Sequence, residues 1–247
     1  MERGDPLPYT LPLAKRLKVG LERKTWTLDV VPDPNSNPEM EHPMSMEKGN
    51  PLTFDGLMKL AEKHAFRFLK IMTCNNIGAP LGMGLWEGVP LRNVIWAARP
   101  KANIRRVFYY GHHNNDPKQM FHSSLPIRRV LEDPPGDNPV MLFYKLNGQW
   151  LSGKRGGPVR MLVPDAYGFK SVKWLKTVIL TNDFRANDTY ADANNDIDSW
   201  MKTMSRFHLR PAKAKTSSRE RSRCGQRYPK WPGCTIPPRC PFRPQSS

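Results

Sequence analysis

Between residues 151 and 181 the chain reads LSGKRGGPVRMLVPDAYGFKSVKWLKTVILT. A basic, glycine-rich turn (Lys154, Arg155, Gly156, Gly157) comes just before a short apolar strand, Val159 to Val163. A second tight turn follows at Tyr167-Gly168, and then a basic cluster of Lys170, Lys173 and Lys176. Glycine lets the backbone approach a ligand closely and take positive φ. Successive N–H groups in such turns form anion-binding nests, and nearby Lys or Arg adds charge-assisted bonds to phosphate. These residue types in this order describe a cradle for a phosphorylated or otherwise anionic ligand. They equally suit a pair of exposed hairpin turns with solvated lysines. The second residue with chemistry in it is Cys74, which ends a predicted buried strand and opens the glycine-rich stretch CNNIGAPLGMGLWEG (74–88). A thiolate there could ligate a soft metal. A buried small apolar side chain and a reactive thiol are the other two readings.

The elements that must position these residues follow from pattern. Thr25 to Val31 alternates and predicts a strand, and residues 32–52, with five prolines, predict a loop. Asp55 is placed to cap a helix over GLMKLAEKH, whose Leu57, Met58, Leu60 and Ala61 share one side. FRFLKIMT (66–73) predicts the strand that delivers Cys74, and residues 74–88, with no periodicity, predict a loop. Val89 to Ala98 reads as a short helix after Pro90, and Leu125 to Leu131 as another opened by Pro126. Arg105 to Tyr110 and Val140 to Leu146 read as strands, the latter ending in the hairpin signal Asn147-Gly148. Strands, short helices and long loops mixed in this way predict an α+β fold. The expected organisation is an irregular N-terminal segment (1–24), one body (25–209) and a basic Pro/Cys-rich tail (210–247).

The formal net charge of +17 suggests a nucleic-acid partner, but its distribution argues otherwise. Residues 210–247 hold ten Lys/Arg against one acid, Glu220, while the body carries the other 21 acidic residues. No zinc-finger spacing, basic zipper or RNP motif is present. No apolar run approaches the length of a membrane span. Neither an apolar h-region nor a twin arginine marks the N-terminus, so no export signal is visible and localisation stays open, the periplasm included if a segment precedes Met1. The tail, with seven prolines and Cys224, Cys234 and Cys240, reads as disordered or as a segment translated in a shifted frame. Its cysteine spacings do not suit zinc. The adjacent His112-His113 read as solvated loop residues, and Asp192–Asp198 lacks the Gly and Glu of a calcium loop.

Four blocks in order, Cys74 with NNIGAPLGMGLWEGVPLRNVI, then FHSSLPIRRVLED, YKLNGQWL and GGPVRMLVPDAYGFKSVKWLKTVILT, resemble the sulfite oxidase family of molybdopterin enzymes, closer to its bacterial sulfite-oxidase-like members. The resemblance covers roughly residues 25–205. Its most specific part is GxPxR-x3-P-x2-YG-x4-KW, carried by Gly156/Gly157, Pro158, Arg160, Pro164, Tyr167, Gly168, Lys173 and Trp174. Trp86 and Gly88 to Arg92 support it. The resemblance implies a molybdenum-molybdopterin cofactor, with Cys74 as the protein ligand to the metal. It implies that Arg160 meets the pterin phosphate, that Ser171, Val172 and Lys173 contribute from the following turn, and that Asn75, Gly111 and Arg155 lie against the cofactor. It further implies two-electron oxo transfer, as sulfite oxidation or S-oxide reduction, on a small anionic or S-oxide substrate with a separate electron-transfer protein. A truncated, non-catalytic member or a basic interaction protein is the competing expectation. Two departures stand out. Phe121 occupies the position of the family's metal-side tyrosine, and the first 24 residues offer only Arg16 and Lys18 in place of the family's upstream arginines. The tail stands where the family's immunoglobulin-like dimerisation domain is expected.

Overall fold

The computed structural model describes residues 7–74, 80–112, 121–132, 136–188 and 200–201. The chain divides into a compact unit, Met1–Thr203, and a second unit, Met204–Ser247, which lies outside the described residues. So do Asn75, His113, the 192–198 stretch and the tail cysteines.

The fold is α+β, with two sheets and a few short helices. The first sheet is built from β1 (Thr27–Pro32), β2 (Leu52–Thr53), β5 (Arg106–Gly111), β6 (His122–Pro126) and β10 (Leu175–Thr181), in the order β2-β1-β10-β5-β6. Only the β1–β10 pair is parallel. The second sheet runs β3 (Phe66–Met72), β4 (Gly82–Pro90), β7 (Met141–Leu146) and β8 (Gln149–Trp150), with β9 (Arg160–Leu162) pairing β7. All its pairs are antiparallel. The helices are α1 (Leu13–Lys18), α2 (Phe54–His64), α3 (Leu91–Ala97) and α4 (Ile127–Leu131). One hydrophobic cluster draws on both sheets, with Leu28, Val30, Val107, Val178 and Leu180 from the first and Val89, Leu142 and Met161 from the second. A smaller one fills the other face of the second sheet with Phe68, Trp86, Met141, Phe143 and Leu162, so β7 is buried on both faces.

Several elements differ from expectation. Thr53, not Asp55, caps α2; its Oγ1 accepts from the Gly56 amide at 3.1 Å, which leaves Asp55 in the first turn where its charge meets the helix dipole. The stretch read as a glycine-rich loop holds β4, because Gly84 and Gly88 sit where side chains would collide across the sheet. A Cβ on Gly88 would lie 2.3 Å from the Leu142 carbonyl oxygen. The helix after it starts at Leu91, with Pro90 outside. Pro126 likewise ends a strand, β6, that the pattern did not reveal. The N-terminal segment, read as irregular, carries α1. The hairpin at Asn147-Gly148 is formed, both residues at positive φ (51° and 77°).

β3 is not a buried strand. It is the edge of its sheet, and its faces are inverted relative to hydropathy. Phe68, Lys70 and Met72 point inward, while Leu69 and Ile71 point to solvent beside Met83 and Leu85 of β4. Lys70 is satisfied by the Ala166 carbonyl, 3.1 Å from its Nζ. Burial pushes the Lys70 ammonium down to about 8, with Asp165 opposing and Arg129 and Arg160 assisting. Between pH ~8 and the ordinary lysine range the unfolded chain therefore holds a proton that the folded chain has released, so this group makes stability rise with pH there. Urea unfolding from pH 7 to 10 is expected to show that rise, and Lys70→Met is expected to make it shallower.

Candidate functional site

Three segments converge on one cavity of about 360 Å³, walled by Leu7 and Tyr9, by Phe121, and by Lys154, Arg160, Gly168, Ser171, Val172, Lys173 and Trp174. Its floor is the stretch 168–174 between β9 and β10. Gly168 opens a 3-10 turn, Gly168–Lys170, and its amide donates to the Thr73 carbonyl at 2.6 Å. That bond sets the turn against the end of β3, one residue before Cys74. A Cβ on Gly168 would lie 2.9 Å from the same oxygen. After the turn, the Val172 carbonyl accepts from the Met161 amide, and the Trp174 amide donates to Gly156. The carbonyls thus face the protein. The amides of Val172 and Lys173 have no acceptor among the described residues, and Val172 is buried. Buried N–H groups are rarely left so. Two consecutive free donors in a turn make a nest for an anion.

The charges around them are of one sign. Arg160, 7% exposed, uses Nε on the Ser171 carbonyl at 2.7 Å and Nη1 on the Arg155 carbonyl at 3.2 Å. It forms no ion pair among the described residues. Burial, with Arg155 adding to it, brings its guanidinium down to about 10. Lys173 is also held below its ordinary range by burial, then by Arg160 and Arg155. Its Nζ is 3.5 Å from the Lys154 carbonyl, and it too has no acidic partner among the described residues. A buried cation without a counter-charge is costly. Here the buried Arg160 and the half-buried Lys173 share a cavity with the two amides, and a bound anion would answer all four.

The residues expected at the site divide accordingly. Arg160, Ser171, Val172 and Lys173 are brought together in the cavity wall. The Ser171 hydroxyl accepts from the Val163 amide at 3.2 Å and retains its own proton to donate. Gly111 stands behind them. A Cβ there would fall 2.1 Å from the Lys173 carbonyl oxygen, so only glycine lets β5 come this close to the cradle. Arg155 contributes its carbonyl to Arg160, while its side chain is exposed and Lys154 lines the cavity in its place. Cys74 is half-buried, forms no disulfide and is not among the residues that line the cavity; its neighbour Thr73 is joined to the cavity wall by the Gly168 amide. The Thr73 Oγ1 is buried with no hydrogen-bond partner among the described residues. Lys170 does not belong to an exposed basic cluster; it is buried.

Sequence reasoning missed Tyr9, and named Trp174 only as part of the motif, not as a residue of the site. Their rings stack at 6.5 Å, and Leu11, Leu21 and Trp174 form a small cluster that holds the N-terminal segment against the basic turn. The Tyr9 ring had no periodicity to announce it. Phe121 does line the cavity, and its carbonyl accepts from the Gly111 amide. No group of three or more His, Cys, Asp or Glu side chains able to hold a metal occurs among the described residues. Inorganic phosphate at ten times its Kd is expected to stabilise the ligand-free chain by about 1.4 kcal/mol. Chloride at matched ionic strength should not, and Arg160→Met or Lys173→Met should abolish the phosphate effect in thermal unfolding.

Residues 46–189 match the oxidoreductase molybdopterin binding domain. Relatives include the NADPH nitrate reductase of Beauveria bassiana, 32% identical over 105 residues, and the inducible NADH nitrate reductase 2 of Glycine max, 33% identical over 113 residues. These matches take in 42% and 44% of this chain but 11% and 12% of those proteins. Among solved structures, the sulfane dehydrogenase SoxCD from Paracoccus pantotrophus shares the fold with a TM-score of 0.52 and 21% identity, over 69% of this chain and 41% of that one. With its domain match spanning more than half its length, its fold and its motif in agreement, the chain belongs to the oxidoreductase molybdopterin-binding domain family.

Proposed function

We propose that this chain holds a molybdenum-molybdopterin cofactor and works as an oxidoreductase by two-electron oxo transfer. The observation that carries the reading is the cradle at 171–173, with two free amides next to the buried Arg160 and the half-buried Lys173, neither of which has an acidic partner among the described residues. A terminal phosphate bears about −1.5 to −2 charge near neutral pH and three acceptor oxygens. Arg160, Lys173, the Val172 and Lys173 amides and the Ser171 hydroxyl are the donors that would meet it. Gly111 lets β5 back the cradle at close range. Arg155 adds positive potential from the rim. Cys74, on the far side of Thr73, would give its thiolate to the metal, with Asn75 as its neighbour in sequence.

When bound, the molybdenum centre supplies exchange of an oxygen atom and an electron pair with the substrate. The chain's own residues do the holding. The Gly168–Thr73 bond sets the spacing between thiolate and cradle. The Tyr9 and Trp174 rings cover the cavity and shed water from it. Phe121 presents an apolar edge and no proton where the family's tyrosine would donate one. Sulfite, S-oxides and, from the naming of the relatives, nitrate belong to one substrate class: small oxygen-bearing acceptors or donors of an oxo group. Electrons would pass to or from a separate electron-transfer protein or module.

Metal analysis tests the reading. Protein made in cells that supply the cofactor is expected to carry stoichiometric molybdenum and pterin. Cys74→Ser is expected to lower molybdenum by roughly tenfold or more while retaining pterin. Unchanged molybdenum in that variant would remove the ligand assignment, and a parent chain free of pterin would remove the whole proposal.

A further inference from the structure

The cradle amides belong to a turn with no regular secondary structure, so something else must fix it. The residue before the cradle, Lys170, is fully buried, an unusual place for a lysine. Its Nζ donates to Asp188 Oδ1 at 2.9 Å and to the Ser124 carbonyl at 2.9 Å. The carboxylate of Asp188 also accepts from the Ser123 hydroxyl and, at 3.2 Å each, from the Ser124 amide and hydroxyl. Arg106 donates to the Ser124 hydroxyl at 3.0 Å. From β5 the Tyr109 hydroxyl donates to the Lys170 carbonyl at 2.9 Å. Both ends of Lys170, side chain and backbone, are therefore tied to the first sheet. Apart from Asp188, which follows β10, these ties sit on β5 and β6, the strands that also carry Gly111 and deliver Phe121. None of the groups lines the cavity.

We propose that Lys170, acting through Asp188, is a positioning residue that holds the Val172 and Lys173 amides in their anion-binding orientation. A buried ion pair is poor evidence for stability in itself, because apolar replacement of both partners is often neutral or better. What the pair supplies is direction. It draws the 168–170 turn onto β6 while the Gly168 amide draws it onto β3, and the residues that follow have one path left to Trp174. The inference rests on the reading of the cradle as a phosphate site.

Calorimetric titration of the full ligand-free chain with inorganic phosphate separates positioning from stability. Lys170→Met strands a buried carboxylate and should lower both. Lys170→Met/Asp188→Asn removes both charges while keeping an acceptor for the Ser123 and Ser124 donors, and should recover most of the unfolding midpoint, yet bind phosphate about tenfold more weakly than the parent. Tyr109→Phe deletes one hydroxyl and should cost roughly three- to fivefold in affinity with the fold intact. Parent-like phosphate affinity in the double variant or in Tyr109→Phe overturns the positioning role and leaves the cradle standing. A parent chain that does not bind phosphate overturns the cradle, and the positioning role with it.

Discussion

Between Ala166 and Trp174 the backbone has to touch both sheets at once. The Ala166 carbonyl takes the Lys70 ammonium from β3, and the Gly168 amide reaches the end of the same strand. The Lys170 side chain and carbonyl then go to the first sheet, and the Trp174 carbonyl accepts from His112. Residues 171–173 are spanned between these anchors. Arg160 and the Met161 amide take up the Ser171 and Val172 carbonyls, the Ser171 amide closes the turn on the Gly168 carbonyl, and the Val172 and Lys173 amides have no acceptor among the described residues. The site is thus as much two backbone donors left without an acceptor among the described residues as a set of side chains in a pocket.

The electrostatics fit that picture. Lys70, Arg160, Lys170 and Lys173 all have their charge disfavoured first by burial. Among the described residues only Lys170 of these four has a carboxylate at hydrogen-bond distance. The other three lean on carbonyl oxygens, which satisfy donors without neutralising charge. Among the described residues the cavity has therefore been given cations and denied acids, which makes occupation by an anion and stability of the domain two sides of one equilibrium.

Much of this was legible in the residues. The glycines and basic residues of 151–181 suited an anion cradle and a pair of exposed turns equally, and the likeness then named Arg160, Ser171, Val172 and Lys173 individually. Gly111 was reachable only through the likeness, since a lone glycine after a strand says nothing about which strand crosses behind it. Lys170 was misread because a lysine in a polar turn is normally solvated, and its carboxylate partner lies 18 residues further on, beyond β10. β4 was missed because its glycines look like loop punctuation, when they are there to let backbones of neighbouring strands approach. Tyr9 came from a Pro-rich segment without period, where only tertiary packing assigns a ring its place.

The inverted faces of β3 have a practical corollary. Leu69 is 62% and Met83 65% exposed, whereas Lys70 between them in the pleat is 6% exposed. A reader of hydropathy would guard the leucines and spend the lysine. Protein engineering of this domain has to proceed the other way round. The solvent-facing stripe of Leu69, Ile71, Met83 and Leu85 is where polar residues can be introduced to improve handling at high concentration, while the lysine in the same strand is part of the scaffold and has to stay.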